Sequence, residues 1–177
     1  MPPKRRSSLP LGLTTSQLTH LGQQLLPHFS GVSSCDTLNQ IFPDFSVTRS
    51  CIINLLEQHF TRGGHWISLF FDAHKQHLYY WDPYGFPPAN AYIVAFLKKA
   101  PVKVTHYSQR VQSLWSIYCG FFCMAFLIHK ERQLPTPAFF RIFDTQDHHV
   151  NDDIVVLFIK ACIDQGVPAA TAALRMR

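Results

Sequence analysis

Cys119 opens the most apolar stretch of the chain, residues 121–128, and Gly120 follows it directly. A cysteine at the start of a helix sits where unpaired backbone N–H groups and the positive end of the helix dipole favour an anion. That is the environment of a thiol nucleophile. Gly120 keeps side-chain bulk off one flank, which would leave room for a substrate backbone. Such a thiol needs a base within hydrogen-bond reach and a group that orients the base. His65 begins one expected strand and Asp82 ends the next, so in a hairpin the two lie on the same side of the sheet. A carboxylate there holds the imidazole in the tautomer whose other nitrogen faces the thiol. For the oxyanion of a tetrahedral intermediate, the Cys119 backbone N–H supplies one donor. The side-chain amide of Gln109 or Gln112, on the linker before the cysteine, completes the pair, and the spacing does not separate these two. Together these residues point to a cysteine hydrolase.

Each of them also has a plainer reading. A cysteine in an apolar helix is often a small buried hydrophobe, and an aspartate before Pro83 is a routine turn starter. Cys119 and Cys123 stand one helical turn apart, and His148-His149 precede Asp152-Asp153, but no Cys-x2-Cys spacing appears. No metal is therefore expected, and Cys123 is read as core packing.

The elements that must position this set follow from periodicity. Leu18, Leu21, Leu25 and Leu26 recur at helical spacing over residues 14–26, with Thr14, Thr15 or Ser16 as cap. Residues 29–45, rich in Gly, Asn, Asp and Pro, read as an ordered loop with short extended pieces. A second helix is expected over residues 47–60, with Cys51, Ile52, Leu55, Leu56 and His59 along one stripe and Arg62-Gly63-Gly64 as its exit. Residues 65–71 and 77–82 are β-branched and aromatic and predict an antiparallel hairpin. A helix over residues 89–99 is broken by Pro101, and residues 102–107 alternate like a third strand. The stretch after Cys119 is apolar on every side and predicts a helix buried on every side. His129, Lys130 and Arg132 close it, where the helix dipole favours cations. A last helix capped by Asn151 runs to about residue 164, and the alanine-rich end reads as weakly held. Residues 1–13 form a basic, flexible lead-in and 14–177 a single domain.

The 177 residues are 47% hydrophobic and 15% charged, which excludes a mostly disordered chain. No apolar run approaches the roughly 20 residues of a membrane span. The basic start Met1-Pro2-Pro3-Lys4-Arg5-Arg6 leads into no hydrophobic signal core, so an intracellular, unsecreted protein is expected. Five cysteines, an odd number, fit free thiols in a reducing compartment. A net charge of +5 permits contact with a polyanion without requiring one.

Gly64-His65-Trp66, Trp81-Asp82-Pro83-Tyr84-Gly85-Phe86 and Gln112-Ser113 followed by Tyr118-Cys119-Gly120-Phe121-Phe122-Cys123 resemble the adenovirus-type cysteine protease family (adenain). The ubiquitin-like-protein-specific proteases are more distantly similar. The resemblance covers about residues 29–130, beginning at Phe29-Ser30-Gly31-Val32. Its seven-residue step to the cysteine selects Gln112 over Gln109. It implies an α+β fold of papain-like cysteine protease architecture in the adenain arrangement, with a central buried helix on a mostly antiparallel sheet. Carried over by match, Cys119 is the nucleophile, His65 the general base and then acid, Asp82 the orienting carboxylate and Gln112 the oxyanion donor. Adenoviral members usually carry Glu in a Glu-Pro-Phe-Gly run; Asp, as in the ubiquitin-like-protein branch, keeps the role. Trp66 is expected to pack against the imidazole.

By the same resemblance, the activity is a cysteine endopeptidase cleaving viral precursor proteins at glycine-containing sites during virion maturation, in the virion and host nucleus. A deconjugating protease acting after Gly-Gly of a ubiquitin-like modifier is the rival enzyme reading. A catalytically silent module binding protein or DNA is the rival outside enzymology. No cofactor is required for the chemistry. Adenoviral members are activated by DNA and by a viral peptide attached through a cysteine shortly before the glutamine. Residues 100–111 contain no cysteine, which argues against covalent attachment. Lys98, Lys99, Lys103 and Arg110, with Lys4-Arg5-Arg6, would be the phosphate contacts if DNA binds, although a solvated basic face is the simpler reading.

Overall fold

The computed structural model describes residues 12–60 and 64–174. The basic lead-in and Arg62-Gly63 lie outside the described residues, apart from Gly12 and Leu13 at the end of the former. Helix α1 (Thr15–Leu25) starts from a capping box in which Thr14 and Gln17 satisfy each other's backbone N–H groups. Then come β1 (Phe29–Ser34), a short 3-10 turn (Cys35–Thr37) and α2 (Leu38–Ile41), more regular than the loop expected there. Strand β2 (Arg49–Asn54) replaces the expected second helix. Its core run, Ser50-Cys51-Ile52-Ile53, is buried on both faces, so the apolar stripe that suggested a helix is a two-sided strand.

Strands β3 (Trp66–Asp72) and β4 (His77–Trp81) form the expected hairpin, and α3 (Ala91–Lys99), capped by Asn90, leads to β5 (Lys103–Tyr107). The five strands lie in the order β1-β2-β3-β4-β5. The sheet is mixed, not mostly antiparallel: β2·β3 and β3·β4 are antiparallel, while β1·β2 and β4·β5 are parallel. The reason is connection length, since α2 and α3 are crossovers that return the chain to the same edge before the next strand begins. The α+β class itself holds.

The pleat divides the core in two. Ile52, Phe70, Tyr79 and Trp81 face one cluster with α1 and the helices after the sheet. Cys51, Ile53, Leu69, Leu78 and Tyr80 face the other, with Leu38 and Phe42 of the α2 region and Ile93 of α3. Helix α4 (Cys119–Glu131) lies across the first face, with every residue from Cys119 to Lys130 buried. Phe121, Phe122 and Phe126 are fully buried, and each contributes roughly 2–3 kcal/mol by leaving water. Helices α5 (Thr136–Phe140) and α6 (Val150–Gln165) pack against α4, and α7 (Val167–Leu174) packs on α6. Asn151 does not cap α6; it lies inside the first turn, and His149 is the cap residue. Among the described residues no helix is long and apolar enough to cross a membrane.

Candidate active site

Two sheet strands and one helix bring His65, Asp82 and Cys119 together. His65 immediately precedes β3, and Asp82 immediately follows β4. Because these strands run antiparallel, His65 and Asp82 meet at one end of the sheet, with His65 Nε2 2.7 Å from Asp82 Oδ1. The carboxylate is almost fully buried (2% exposed), and the imidazole is 18% exposed. Asp82 Oδ1 also accepts from the Tyr84 backbone N–H at 2.7 Å, an Asx turn that Pro83 pre-shapes. The turn closes with Gly85 N donating to Asp82 O at 2.7 Å. Gly85 has φ +74, and a Cβ there would stand 2.5 Å from Ser108 O, so only glycine lets the turn pass so close to the chain after β5.

Cys119 is the first residue of α4, with Tyr118 as its cap residue, and is 8% exposed. Cys119 acts on the His65 ring alongside Asp82. Burial works to lower the basicity of the ring, but the hydrogen bond and charge of Asp82, with the influence of Cys119, outweigh it and raise His65 to about 9. At neutral pH the ring is therefore a cation beside the first residue of α4. The other four cysteines are also free and buried. Burial, first among the causes, pushes the Cys123 thiol well up, and Cys123 Sγ donates to Trp66 O at 3.2 Å, which suits a core role.

Gln112 is fully buried on the segment leading to α4, whereas Gln109 is exposed and contributes only its carbonyl, to Trp81 Nε1. Gln112 Nε2 donates to Ser116 O at 3.0 Å and to Ser116 Oγ at 3.2 Å, while its Oε1 is buried without a partner. The amide is thus turned onto its own loop.

Two expectations change. The ring stacked on His65 is that of Tyr84, with centroids 4.5 Å apart and planes 20° apart. Trp66 packs into the core cluster under α4, because neighbouring residues at a strand end point to opposite sides. Gly120 does not open a path for substrate: a Cβ there would lie 3.1 Å from Leu18 Cδ2 and 3.3 Å from Leu13 Cβ. Its small size lets α1 approach α4.

Three residues tied to this centre were given no part in it by the sequence. Tyr84 donates its hydroxyl to Ser116 O at 3.2 Å, and Ser116 Oγ donates to Asp152 Oδ1 at 2.7 Å. Tyr84 lies inside a recognised motif, but its partners do not. Ser116 and Asp152 are 36 residues apart and meet only in the fold. Among the described residues no group of three or more His, Cys, Asp or Glu side chains is arranged to hold a metal ion.

The sequence matches the family of the adenovirus endoprotease over residues 36–146. It is 30% identical over 145 residues to a protease of Porcine adenovirus A serotype 3, covering 72% of this chain and 68% of that one. In fold it resembles an ASFV protease, with a TM-score of 0.54 at 15% identity over 82% of this chain and 67% of that one. The SUMO protease Ulp1, with its catalytic cysteine oxidised to a sulfonic acid, gives a TM-score of 0.48 at 13% identity, covering 92% and 79%. The match of sequence over most of the chain, on a fold that seats a cysteine beside a carboxylate-held histidine, places this protein in the adenovirus endoprotease family and makes it a cysteine protease.

Proposed function

We propose that Cys119 is the nucleophile, His65 the proton carrier, Asp82 the carboxylate that orients it and Gln112 the side-chain oxyanion donor. The single observation that carries this reading is one imidazole hydrogen-bonded to a buried carboxylate and acted on by a cysteine at the start of a buried helix. The Cys119 sulfur anion adds to the carbonyl carbon of a peptide bond, and the oxyanion takes hydrogen bonds from the Cys119 backbone N–H and from Gln112 Nε2. For the latter, one amide N–H turns from Ser116 to the oxyanion. The C–N bond then breaks as His65 gives its proton to the leaving amine, and the neutral ring next takes a proton from water. That water adds to the thioester, the C–S bond breaks, and a carboxylic acid and the sulfur anion are released.

The substrates in this reading are viral precursor polypeptides cut at glycine-containing sites during virion maturation. Leu114, Trp115 and Ile117 stand exposed on the loop that ends at Cys119, and Phe86 on the turn after Asp82, supplying apolar surface for a peptide's side chains. Cys119→Ala abolishes turnover of glycine-containing peptides while thermal unfolding stays close to wild type. A thiol-reactive peptide ending in glycine labels Cys119 alone, as mapped by mass spectrometry. Label elsewhere, or cleavage persisting in Cys119→Ala, removes the assignment. Cleavage of Gly-Gly modifier conjugates in place of precursor-derived peptides would keep the chemistry and replace the substrate class.

A further inference from the structure

We propose that Asp152, acting through Ser116, is a positioning residue that sets which end of the Gln112 amide serves the reaction. This rests on reading Gln112 as the oxyanion donor. A hydroxyl has one proton to give. Ser116 gives its proton to Asp152 Oδ1 at 2.7 Å, so its oxygen is left only to accept. It accepts from Gln112 Nε2 at 3.2 Å and from the Tyr118 backbone N–H at 3.2 Å. The Ser116 carbonyl accepts from the same Gln112 nitrogen and from the Tyr84 hydroxyl. Every group that Ser116 turns toward Gln112 is therefore an acceptor, and the buried amide has to present its nitrogen. Without Asp152, the Ser116 proton is free to bond Gln112 Oε1, which is buried and unpartnered. Turning the amide over then trades its bond to the Ser116 carbonyl for one from the Ser116 hydroxyl, and relieves a buried acceptor whose lack of a donor costs about 1–3 kcal/mol. An amide turned over offers a carbonyl oxygen where a donor is needed, and a developing oxyanion is repelled.

The geometry around Asp152 makes this a built contact. The start of α6 grips the segment before Cys119 beside it: the fully buried Asn151 donates from Nδ2 to Val111 O at 2.8 Å, and His149 Nε2 lies 3.4 Å from Ser113 Oγ. Asn151 is fixed in turn by Asp144, whose N–H donates to its Oδ1 at 2.7 Å and whose carbonyl accepts from its Nδ2 at 2.9 Å. Asp152 thus reaches Ser116 from a turn that is itself anchored.

The experiment is a double-variant cycle on steady-state cleavage of a glycine-containing peptide, with thermal unfolding of each protein. Gln112→Ala lowers kcat by about 10²–10³, the usual cost of an oxyanion donor, and Asp152→Ala lowers kcat by about tenfold or more with KM little changed. Asp152→Asn recovers most of the loss, since its amide oxygen still accepts the Ser116 proton. In the Gln112→Ala background, Asp152→Ala costs nothing further. Ser116→Ala breaks the same link and carries the test if Asp152→Ala does not fold. Full kcat in Asp152→Ala beside a crippled Gln112→Ala overturns the positioning role alone. So do losses that multiply in the double variant, or a loss carried by KM. Full kcat in Gln112→Ala overturns the oxyanion assignment and the positioning role with it.

Discussion

The two ends of α4 each hold a nitrogen base drawn out of solvent, half-buried His65 at one and buried Lys130 at the other. Burial works against the charge of both, yet the two shift in opposite directions. At the N-terminal end, His65 is raised to about 9 although burial works against its charge. At the C-terminal end, Lys130 is only 8% exposed and burial lowers it to about 8, helped by the charge of Lys75 and only partly opposed by Asp72. The helix dipole predicts the reverse order, since it disfavours a cation at the start and favours one at the finish. The partners decide. His65 has a hydrogen-bonded carboxylate 2.7 Å away and the influence of Cys119. Lys130 has an aromatic cage, with Nζ 3.3 Å from the Tyr79 ring centre and 5.7 Å from that of Tyr107, and a hydroxyl, Thr136 Oγ1, at 3.3 Å. The Asp72 carboxylate pairs at 2.9 Å with Lys75 instead. A hydrogen bond to a charged group is worth about 1.5–3 kcal/mol, against roughly 0.3–1 kcal/mol for an exposed dipole contact. The same helix therefore keeps its charge where chemistry needs it and strains against it elsewhere.

The contrast breaks first at Asp82. Asp82→Asn leaves the imidazole without its charged partner and allows the wrong tautomer, so turnover falls by roughly 10²–10⁴. The pH dependence moves with it. A histidine raised in the folded state gives stability that is complete below its unfolded value near 6.5 and is lost as pH rises through about 9. In the wild type both peptidase activity and this part of the stability decline as pH climbs past 9. In Asp82→Asn the alkaline limb moves to lower pH, as pH–rate profiles will show. A wild-type turnover or an unmoved limb in Asp82→Asn would mean that the carboxylate does not govern His65.

How much of this is legible in the sequence differs between the two ends as well. Cys119, His65 and Asp82 can be placed because each sits at the end of an element whose pattern is plain: a helix apolar on every side and two aromatic strands. The sheet around them is harder. In β2 the run Cys51-Ile52-Ile53 is too short for period 2 and period 3.6 to be told apart, and its burial on both faces removes the alternation that would have marked a strand. Direction is hidden too, since only the packing of α2 and α3 as crossovers makes the outer pairs parallel. The Lys130 cage is invisible for a related reason. Its rings come from β4 and β5, and sequence distance says nothing about which of them meet the end of α4. The dipole alone accounts for a basic close to α4; it points to the correct residue but gives the wrong sign for the energy of its charge.

The second break is at that end, with an effect of about 2 kcal/mol. Folded Lys130 titrates near 8 and an unfolded lysine near 10.5, so between these values the unfolded chain binds more protons and stability rises with pH. Lys130→Met keeps the length and apolar stem while removing the charge. It stabilises the protein near neutral pH by roughly 2 kcal/mol, after the loss of the ring and Thr136 contacts, because the desolvation cost is gone. Chemical denaturation at stepped pH measures the difference between variant and wild type. That difference shrinks from pH 8 to 10.5, while the His65 contribution, common to both proteins, cancels. A destabilised variant at pH 7 would show that the cage outweighs burial and that the two ends do not differ in kind.

The finest test separates three contacts that Tyr84 makes within the centre, where it joins the His65 side to the loop before Cys119. Its ring stacks on the imidazole, its N–H holds Asp82, and its hydroxyl holds Ser116 O. Tyr84→Phe removes only the last, a neutral hydrogen bond worth about 1 kcal/mol. Turnover falls a few-fold, and the alkaline limb stays near 9, because the groups that raise His65 are Asp82 and Cys119 and both are untouched. Tyr84→Ala takes away the stacked ring as well and lets water reach an imidazole that is 18% exposed at present. Water there weakens the charged hydrogen bond to Asp82 by raising the local dielectric, so the limb moves down in Tyr84→Ala and not in Tyr84→Phe. If the limb moves equally in both, the hydroxyl reaches His65 through the loop, and the two halves of the centre are one electrostatic unit instead of two joined by a strut.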